Sequence, residues 1–328
     1  MRGQRGFALL AVMLVLALLG VIVGEFAFAM RLEATMVKSY RDEIVGRHLA
    51  EAAVQQSIRE ILTDSQVVGL ADEGLLTFFR LPARALPRLG RSEVALGRGT
   101  FSYRITDEEA RINLNTAPPD RVDRLLTTLG VDKQARDVIN DSLQDWKDPN
   151  DLHRLNGAES DYYLGLPVPY RSKNADFDSV DELLQVKGVT RAMLYGRPDV
   201  PGLAEHLTVF GTGAINVNTA TPMVLRAMGL APAEVEALIG RRPYLDLTSL
   251  PPGLRRGNQR TSSDTFRIEA WAGGSAPAGR VLTAVVQRRA EAGQIQAVPL
   301  AWRWSEASRL ATAPLVPATD RAGRGAGS

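Results

Sequence analysis

The chain has 328 residues, with 39 Lys and Arg against 37 Asp and Glu, so its net charge is only +2. It contains no cysteine, which excludes disulfides, thiol catalysis and Cys-ligated metals, and its three histidines (His48, His153 and His206) are too scattered to suggest a His-rich zinc site. The near-balanced charge also argues against a whole-molecule footprint for nucleic acid.

The first residues read MRGQRG, and from Phe7 to Gly24 no residue is charged. At 1.5 Å per residue, an apolar helix of this kind covers roughly 27–36 Å, the thickness of a bilayer core. Arg2 and Arg5 favour a cytoplasmic N-terminus with the rest of the chain outside. Three readings fit: a cleaved signal peptide with Ala27-Phe28-Ala29 as its small-residue site, a plain signal anchor, or a prepilin-like leader cut between Gly6 and Phe7. The apolar run is longer than a signal peptide needs, and the chain continues without proline from Arg31 to Leu62. There Leu32, Met36, Tyr40, Ile44, Leu49, Ala52 and Ala53 recur at helical spacing, so one helix of roughly 80 Å is expected from Phe7 to about Leu62. Its first half suits lipid, and one stripe of its second half is expected to pack on a globular head.

Beyond a Gly- and Pro-bearing stretch (67–90), Phe101, Tyr103 and Ile105 alternate with polar residues and predict a strand. Thr265–Trp271 and Val281–Val286 predict an antiparallel hairpin, Ile295–Trp304 a further strand, and the Ala/Gly/Pro/Arg-rich end a disordered tail. Between the first strand and the hairpin the pattern is mainly helical. That stretch holds one phrase twice, INLNTAPP at Ile112–Pro119 and INVNTATP at Ile215–Pro222. Each predicts a short extended segment turning into a helix, capped by Thr116 or Thr221 and stopped by Gly130 or Gly229. The Asn and Thr side chains are expected to satisfy backbone groups at the turn rather than to bind a ligand. Ser179–Thr190 looks like half of a helix-hairpin-helix, but Thr190 stands where a second glycine would let a phosphate approach. Ten Asp and Glu against four Lys and Arg between Asp141 and Glu182 would repel DNA.

The densest polar stretch is Asp145-Trp-Lys-Asp-Pro-Asn-Asp151 followed by Asn156-Gly-Ala-Glu-Ser-Asp-Tyr-Tyr163. Its oxygen-rich side chains and turn residues suit a hard cation such as calcium, although the spacing is not that of an EF-hand; a solvated acidic loop is the other reading. No Ser-His-Asp pattern, phosphate-cradling glycine loop or His-x-x-x-His is present.

Taken together, Arg5-Gly6-Phe7-Ala-Leu-Leu10, Ile112–Ala117, Asp145–Asp151, Asn156–Glu159, Tyr162-Tyr163, Pro169-Tyr-Arg171, Leu183–Gly188 and Ile215–Ala220 resemble the minor pseudopilin K family of the bacterial type II secretion system. The resemblance implies an α+β fold in which a long N-terminal helix and a small antiparallel, pilin-like sheet carry a large, mainly helical domain inserted between strands. It implies a leader at 1–6, a transmembrane half-helix at 7–30, helix and head at 31–107, the inserted domain at 108–260, closing strands at 261–305 and a tail at 306–328. Gly6 and Phe7 become the processing site of a prepilin peptidase, and Phe7 the N-methylated mature terminus. The implied role is structural, without enzymatic activity: starting and capping a periplasmic filament for export across the outer membrane. The implied partners are the I- and J-type minor pseudopilins, other pseudopilins and the inner-membrane assembly platform, with no nucleic acid. Calcium is implied in the inserted domain, with Asp148, Asp151, Glu159 and Asp161 as its ligands. Ala11, at the fifth mature position where most pilin-like subunits have Glu, agrees with this family. A lone carboxylate there, with no subunit ahead to pair with, would be costly in lipid. The competing expectations are a pilus or DNA-uptake minor pilin and a periplasmic enzyme behind a cleaved signal peptide.

Overall fold

A computed structural model describes residues 4–71, 74–81, 84–197, 200–274, 279–291 and 293–306. The first three residues and 307–328, where most of the expected tail falls, lie outside the described residues. The expected long helix is α1, Gln4–Ile61, 58 residues and about 87 Å at the standard rise. It stands clear of the rest of the protein over most of its length. Leu49, Ala50, Ala53, Val54 and Ile61 are buried in the head, whereas Leu32, Met36 and Tyr40 are more than half exposed. The stripe read as one packing surface is therefore two: its upper part meets the sheet, and its lower part extends past the sheet with none of the described residues burying it.

The Gly- and Pro-bearing stretch 67–90, for which the sequence predicts no element, forms a small antiparallel sheet of β1 (Val67–Leu70), β2 (Leu76–Arg80) and β3 (Arg84–Ala85). The expected first strand is a hairpin of β4 (Val94–Leu96) and β5 (Gly99–Asp107), turning at Gly97 with φ +61°. The chain then leaves for a mainly helical domain: β6 (Ile112–Asn113), α2 (Pro119–Thr128), α3 (Lys133–Lys147), α4 (Ser160–Leu164), α5 (Arg191–Tyr195), β7 (Leu207–Thr208), β8 (Ile215–Asn216), α6 (Pro222–Ala227), α7 (Pro232–Ile239) and β9 (Gln259–Arg260). It returns as β10 (Thr265–Ala272), β11 (Arg280–Glu291) and β12 (Gln294–Glu306), completing an antiparallel sheet in the order β12-β11-β10-β5-β4. Phe101, Tyr103, Ile105, Phe266, Ile268, Ala270, Leu282 and Ala284 form the face that α1 covers. Fastening the helix to this sheet is a buried ion pair. Arg91 donates to Glu60 from Nε (3.1 Å) and Nη2 (2.6 Å), and Tyr103 donates its hydroxyl to Glu60 Oε2 (3.1 Å).

The helical domain is a duplication, and this accounts for the repeated phrase. In the first copy Ile112 N donates to His206 O (2.9 Å) and Leu114 N to Thr208 O (2.9 Å), making a parallel β6–β7 ladder. In the second, Ile215 N donates to Asn258 O (2.8 Å) and Val217 N to Arg260 O (2.9 Å), making β8–β9. Asn113 Oδ1 accepts from Asn115 N (2.9 Å), and Asn216 Oδ1 from Asn218 N (3.0 Å). Asn115 then clamps the backbone of Phe177 with two bonds (3.0 and 2.9 Å), as Asn218 clamps Tyr244 (2.8 and 2.7 Å). Both glycine stops hold: Gly130 and Gly229 have φ of +79° and +91°. The copies pack α2 on α6, with Arg124 Nε donating to Ala227 O (2.7 Å). Thr221 caps α6 as expected, but Thr116 does not cap α2, which starts at Pro119 behind Pro118. A residue before proline avoids the helical region, so two successive prolines move the helix start past the threonine.

Where β5 runs into the helical domain, three consecutive carboxylates are buried. Asp107 accepts from Ser263 Oγ (2.6 Å), Thr219 Oγ1 (2.6 Å), Asn216 Nδ2 (3.0 Å) and Glu109 N (2.8 Å). Glu108 is bound by Arg111 (2.7 Å), Arg267 and Thr208, and Glu109 by Arg260, Asp264 N (3.3 Å) and Thr265 (3.3 Å). Burial pushes Glu109 up to about 7 against the pull of Arg260, with Asp107 and Asp264 adding to the rise.

Two predictions follow from these contacts. Glu60→Ala leaves Arg91 buried without its anion and is expected to cost about 3–5 kcal/mol, read as a lower denaturation midpoint of the detergent-solubilised chain. For Glu109 the folded value exceeds that of a free glutamate, so its contribution is full below pH 4.5 and is lost as pH rises through about 7. Glu109→Gln is expected to flatten the stability profile relative to wild type across that window, measured by denaturation at stepped pH.

Candidate functional site

The acidic stretch folds around the end of α3. Asp132 caps this helix by accepting from Ala135 N (3.0 Å), and the helix turns Asp145 and Trp146 inward, where both are buried. Trp146 meets Tyr163 and Tyr170 edge-on, with ring centres 5.3 and 6.2 Å apart. At Asp148 the backbone becomes extended (ψ 154°), as a residue before Pro149 prefers, and the helix ends. The chain then doubles back so that Arg154 ties Asp145 to Asp148: its backbone N donates to Asp145 Oδ2 (3.0 Å), and its guanidinium to Asp145 Oδ1 and to Asp148 Oδ2 (2.7 Å). Gly157 passes so close that a Cβ there would fall on Asp145 Oδ2.

Glu159 is 1% exposed, and among the described residues neither of its carboxylate oxygens has a hydrogen-bond partner. Burial pushes its pKa up; the nearby Ser172 hydroxyl pulls it back, while Asp145, Asp148 and Asp151 add to the rise. Asp151 is exposed and accepts from Asn174 Nδ2 (3.0 Å), and the Oδ1 of that Asn174 is buried without a partner. Of the four carboxylates expected from the resemblance, Asp148, Asp151 and Glu159 thus come within each other's field. Asp161 is exposed in the first turn of α4 and accepts from the amide of Tyr162 (2.7 Å). Among the described residues no group of three or more His, Asp or Glu side chains is arranged to hold a metal ion. Asp148 is held by Arg154 and Asp151 by Asn174, whereas the Glu159 oxygens and Asn174 Oδ1 are buried without a partner among the described residues. Sequence reasoning did not name Asp145, Arg154 or Asn174. Asp145 lay within the quoted acidic stretch, but nothing in its spacing marked it as the one carboxylate turned wholly inward.

A second functional element is the lower part of α1. An apolar span within Leu9–Ile61 is long and hydrophobic enough to cross a membrane, and none of it is buried. Gly6 and Phe7 both lie in the first turns of this helix. At the hairpin around Gly188 (φ +87°), the following amide, Val189 N, donates to Val186 O (3.2 Å), and Met193 N donates to Thr190 Oγ1 (3.2 Å), so neither amide is open to a phosphate.

Residues 104–196 match the family model described as type II secretion system (T2SS), protein K. Type II secretion system protein K of Pseudomonas aeruginosa is 28% identical over 263 residues, covering 74% of this chain and 73% of that protein. The protein of the same description from Pectobacterium carotovorum subsp. carotovorum is 27% identical over 274 residues, covering 75% and 78%. A chain of the crystal structure of the GspK-GspI-GspJ complex from enterotoxigenic Escherichia coli shares the fold, with a TM-score of 0.58 and 15% identity over 84% of this chain and 99% of that one.

The tight approach of Gly157 to Asp145 predicts that Gly157→Ala forces the loop off α3. A loss of about 1–3 kcal/mol is expected, measured by thermal melting, with Arg154 released from Asp145 and therefore more open to arginine-directed labelling.

Proposed function

We propose that this chain, which belongs to the type II secretion system protein K family and is a minor pseudopilin of that system, sits at the tip of the filament and there starts and caps its assembly. The observation that carries this reading is the uncovered lower part of α1. Phe7, Leu10, Leu14 and Leu18 are each more than half exposed, and the apolar exposure continues through Leu32, Met36 and Tyr40, beyond the length a bilayer needs. Lipid accounts for the first part; parallel stems of like subunits account for the second. Ala11 supports a terminal place, since a subunit with none ahead has no N-terminal amine for a carboxylate to neutralise.

On this reading the prepilin peptidase cuts between Gly6 and Phe7, α1 crosses the inner membrane once, and the head lies in the periplasm. Its direct neighbours are I- and J-type minor pseudopilins, in keeping with the three-protein complex that the structural relative forms, and it meets other pseudopilins and the assembly platform through its stem. Its role is that of a structural component. Calcium belongs to the proposal: Glu159, Asp148 and Asp151, with Asn174 Oδ1, would supply the oxygens, and the cation would relieve the repulsion now borne by Glu159. Asp161, the fourth expected ligand, is exposed in the first turn of α4 and is not among the carboxylates that act on Glu159.

Four outcomes test this. N-terminal sequencing of the protein from membranes is expected to begin at Phe7; a start at Met30 would support a cleaved signal peptide instead. Co-expressed I and J partners are expected to co-purify with the detergent-solubilised chain. Calcium is expected to stabilise the chain by about 2.7 kcal/mol at a hundredfold excess over its Kd, a shift that EGTA reverses. Glu159→Gln is expected to raise the melting temperature of the calcium-free protein, because it removes an unpaired buried charge, and to remove most of the calcium-dependent gain.

A further inference from the structure

The two ladders of the helical domain close on different residues. Ile215 N donates to the carbonyl of Asn258 (2.8 Å); at the same place in the first copy, Ile112 N donates to the carbonyl of His206 (2.9 Å). Asn258 is exposed, and its Nδ2 donates to Gly213 O (2.9 Å). His206 is 5% exposed, and among the described residues neither of its ring nitrogens has a hydrogen-bond partner. A neutral imidazole has one N–H to place; an imidazolium has two, together with a charge. A buried site without an acceptor tolerates the first far better than the second. The second copy thus closes its ladder on a side chain that does not titrate, and the first on one that does.

The charged groups around the ring do not supply what a proton on it would need. Burial holds the ring below the ordinary histidine value of 6.5; Glu205 pulls the other way, and Arg111 adds to the fall. Glu205 is exposed, so water screens its pull. The Arg111 guanidinium donates to Glu205 O (3.2 Å) and to Glu108 Oε1 (2.7 Å), with Arg267 and Glu269 also in its field. Glu108 is in turn engaged by Arg267 and Thr208, and Glu269 by Arg104 (3.6 Å). The neutral ring's contribution to stability is therefore full above pH 6.5 and is lost as pH falls through the folded value. We propose that His206 is an acid-sensitive latch on the first ladder: with the ring neutral β6 and β7 stay paired, and a proton on it parts them while β8 and β9 remain closed. The base of the acidic loop is loosened with them. Leu114, whose N donates to Thr208 O in the same ladder, also accepts from Lys147 Nζ (3.1 Å) at the end of α3. The latch lies within the head and does not rest on the place of the chain in the filament.

The test is hydrogen exchange by mass spectrometry on the detergent-solubilised full chain, stepped from about pH 7.5 to about pH 5, the range in which histidine titrates. Rates are corrected for the intrinsic pH dependence of amide exchange and read on the peptides carrying Ile112–Leu114 and Ile215–Val217. In the wild type, protection of the first peptide is expected to fall below pH 6.5 by up to about tenfold per pH unit, the limit for a single proton. Protection of the second is expected to hold over the same range. His206→Phe, which keeps a buried ring and cannot take a proton, is expected to hold the first peptide level as well. The proposal is overturned if the wild-type first ladder does not loosen, if both ladders loosen alike, or if His206→Phe loosens as the wild type does. Should His206→Phe melt earlier than wild type, the comparison of the two ladders within the wild type decides alone.

Discussion

Three neighbouring carboxylates, Asp107, Glu108 and Glu109, are taken out of water at the point where the sheet hands the chain to the helical domain. Such burial is tolerable only when every oxygen is met, and removing one partner strands a charge in a medium that cannot solvate it. The partners are drawn from everywhere that matters. Thr208 comes from the strand that closes the first copy, Asn216 and Thr219 from the second copy's repeated phrase, Arg260 from β9, and Ser263 and Arg267 from the returning chain. Neither the sheet nor the helical domain can settle alone without leaving this cluster open. The two are thus joined by a polar keystone, and Glu60 with Arg91 carries the same logic from the sheet to α1. Stem, sheet and inserted domain are joined in series by buried charge.

The duplicated phrase shows why a particular side chain is used. An asparagine amide has both a donor and an acceptor, so it can answer the N–H and the C=O of one distant residue at once. Asn115 does this for Phe177 and Asn218 for Tyr244. Aspartate could only accept and would leave the carbonyl unmet. The chain between the helix pair and the clamped residue can then be short or long without disturbing the repeat, because the clamp fixes its far end. The first copy has residues 148–176 in this link and the second only 240–243.

Much of this was legible in the residues, and the failures have physical causes. The long helix was readable because a membrane-length apolar run passes without proline into a helical-period stripe, and β5, β10, β11 and β12 because their apolar residues alternate. The repeated phrase was readable as local backbone chemistry, since Asn and Thr beside proline carry that meaning wherever they occur. The sheet of β1–β3 was missed because Val67-Val68 and Leu76–Phe79 are apolar without alternation and glycines interrupt them. The idle cap at Thr116 was missed because the second proline moved the helix start. The inward turn of Asp145 and the involvement of Asn174 depend on a chain reversal through Arg154 and Gly157, and no spacing rule encodes it.

The uncovered length of α1 is the strongest statement the fold makes about context. Leu32, Met36 and Tyr40 lie beyond the residues a bilayer needs and below the point where Leu49 enters the head. Each buried leucine or methionine side chain gains about 1.5–3 kcal/mol relative to its exposed state, so a bare stripe of this kind in water is a standing free-energy deficit. Lipid cannot remove it, because Arg31, Lys38, Arg41 and Asp42 share the same turns and require an aqueous or protein surface. An amphipathic stem, offering apolar side chains on one side and charges on the other, would satisfy both halves of this segment. Its exposed apolar stripe beside charged residues has the composition of one half of an interface.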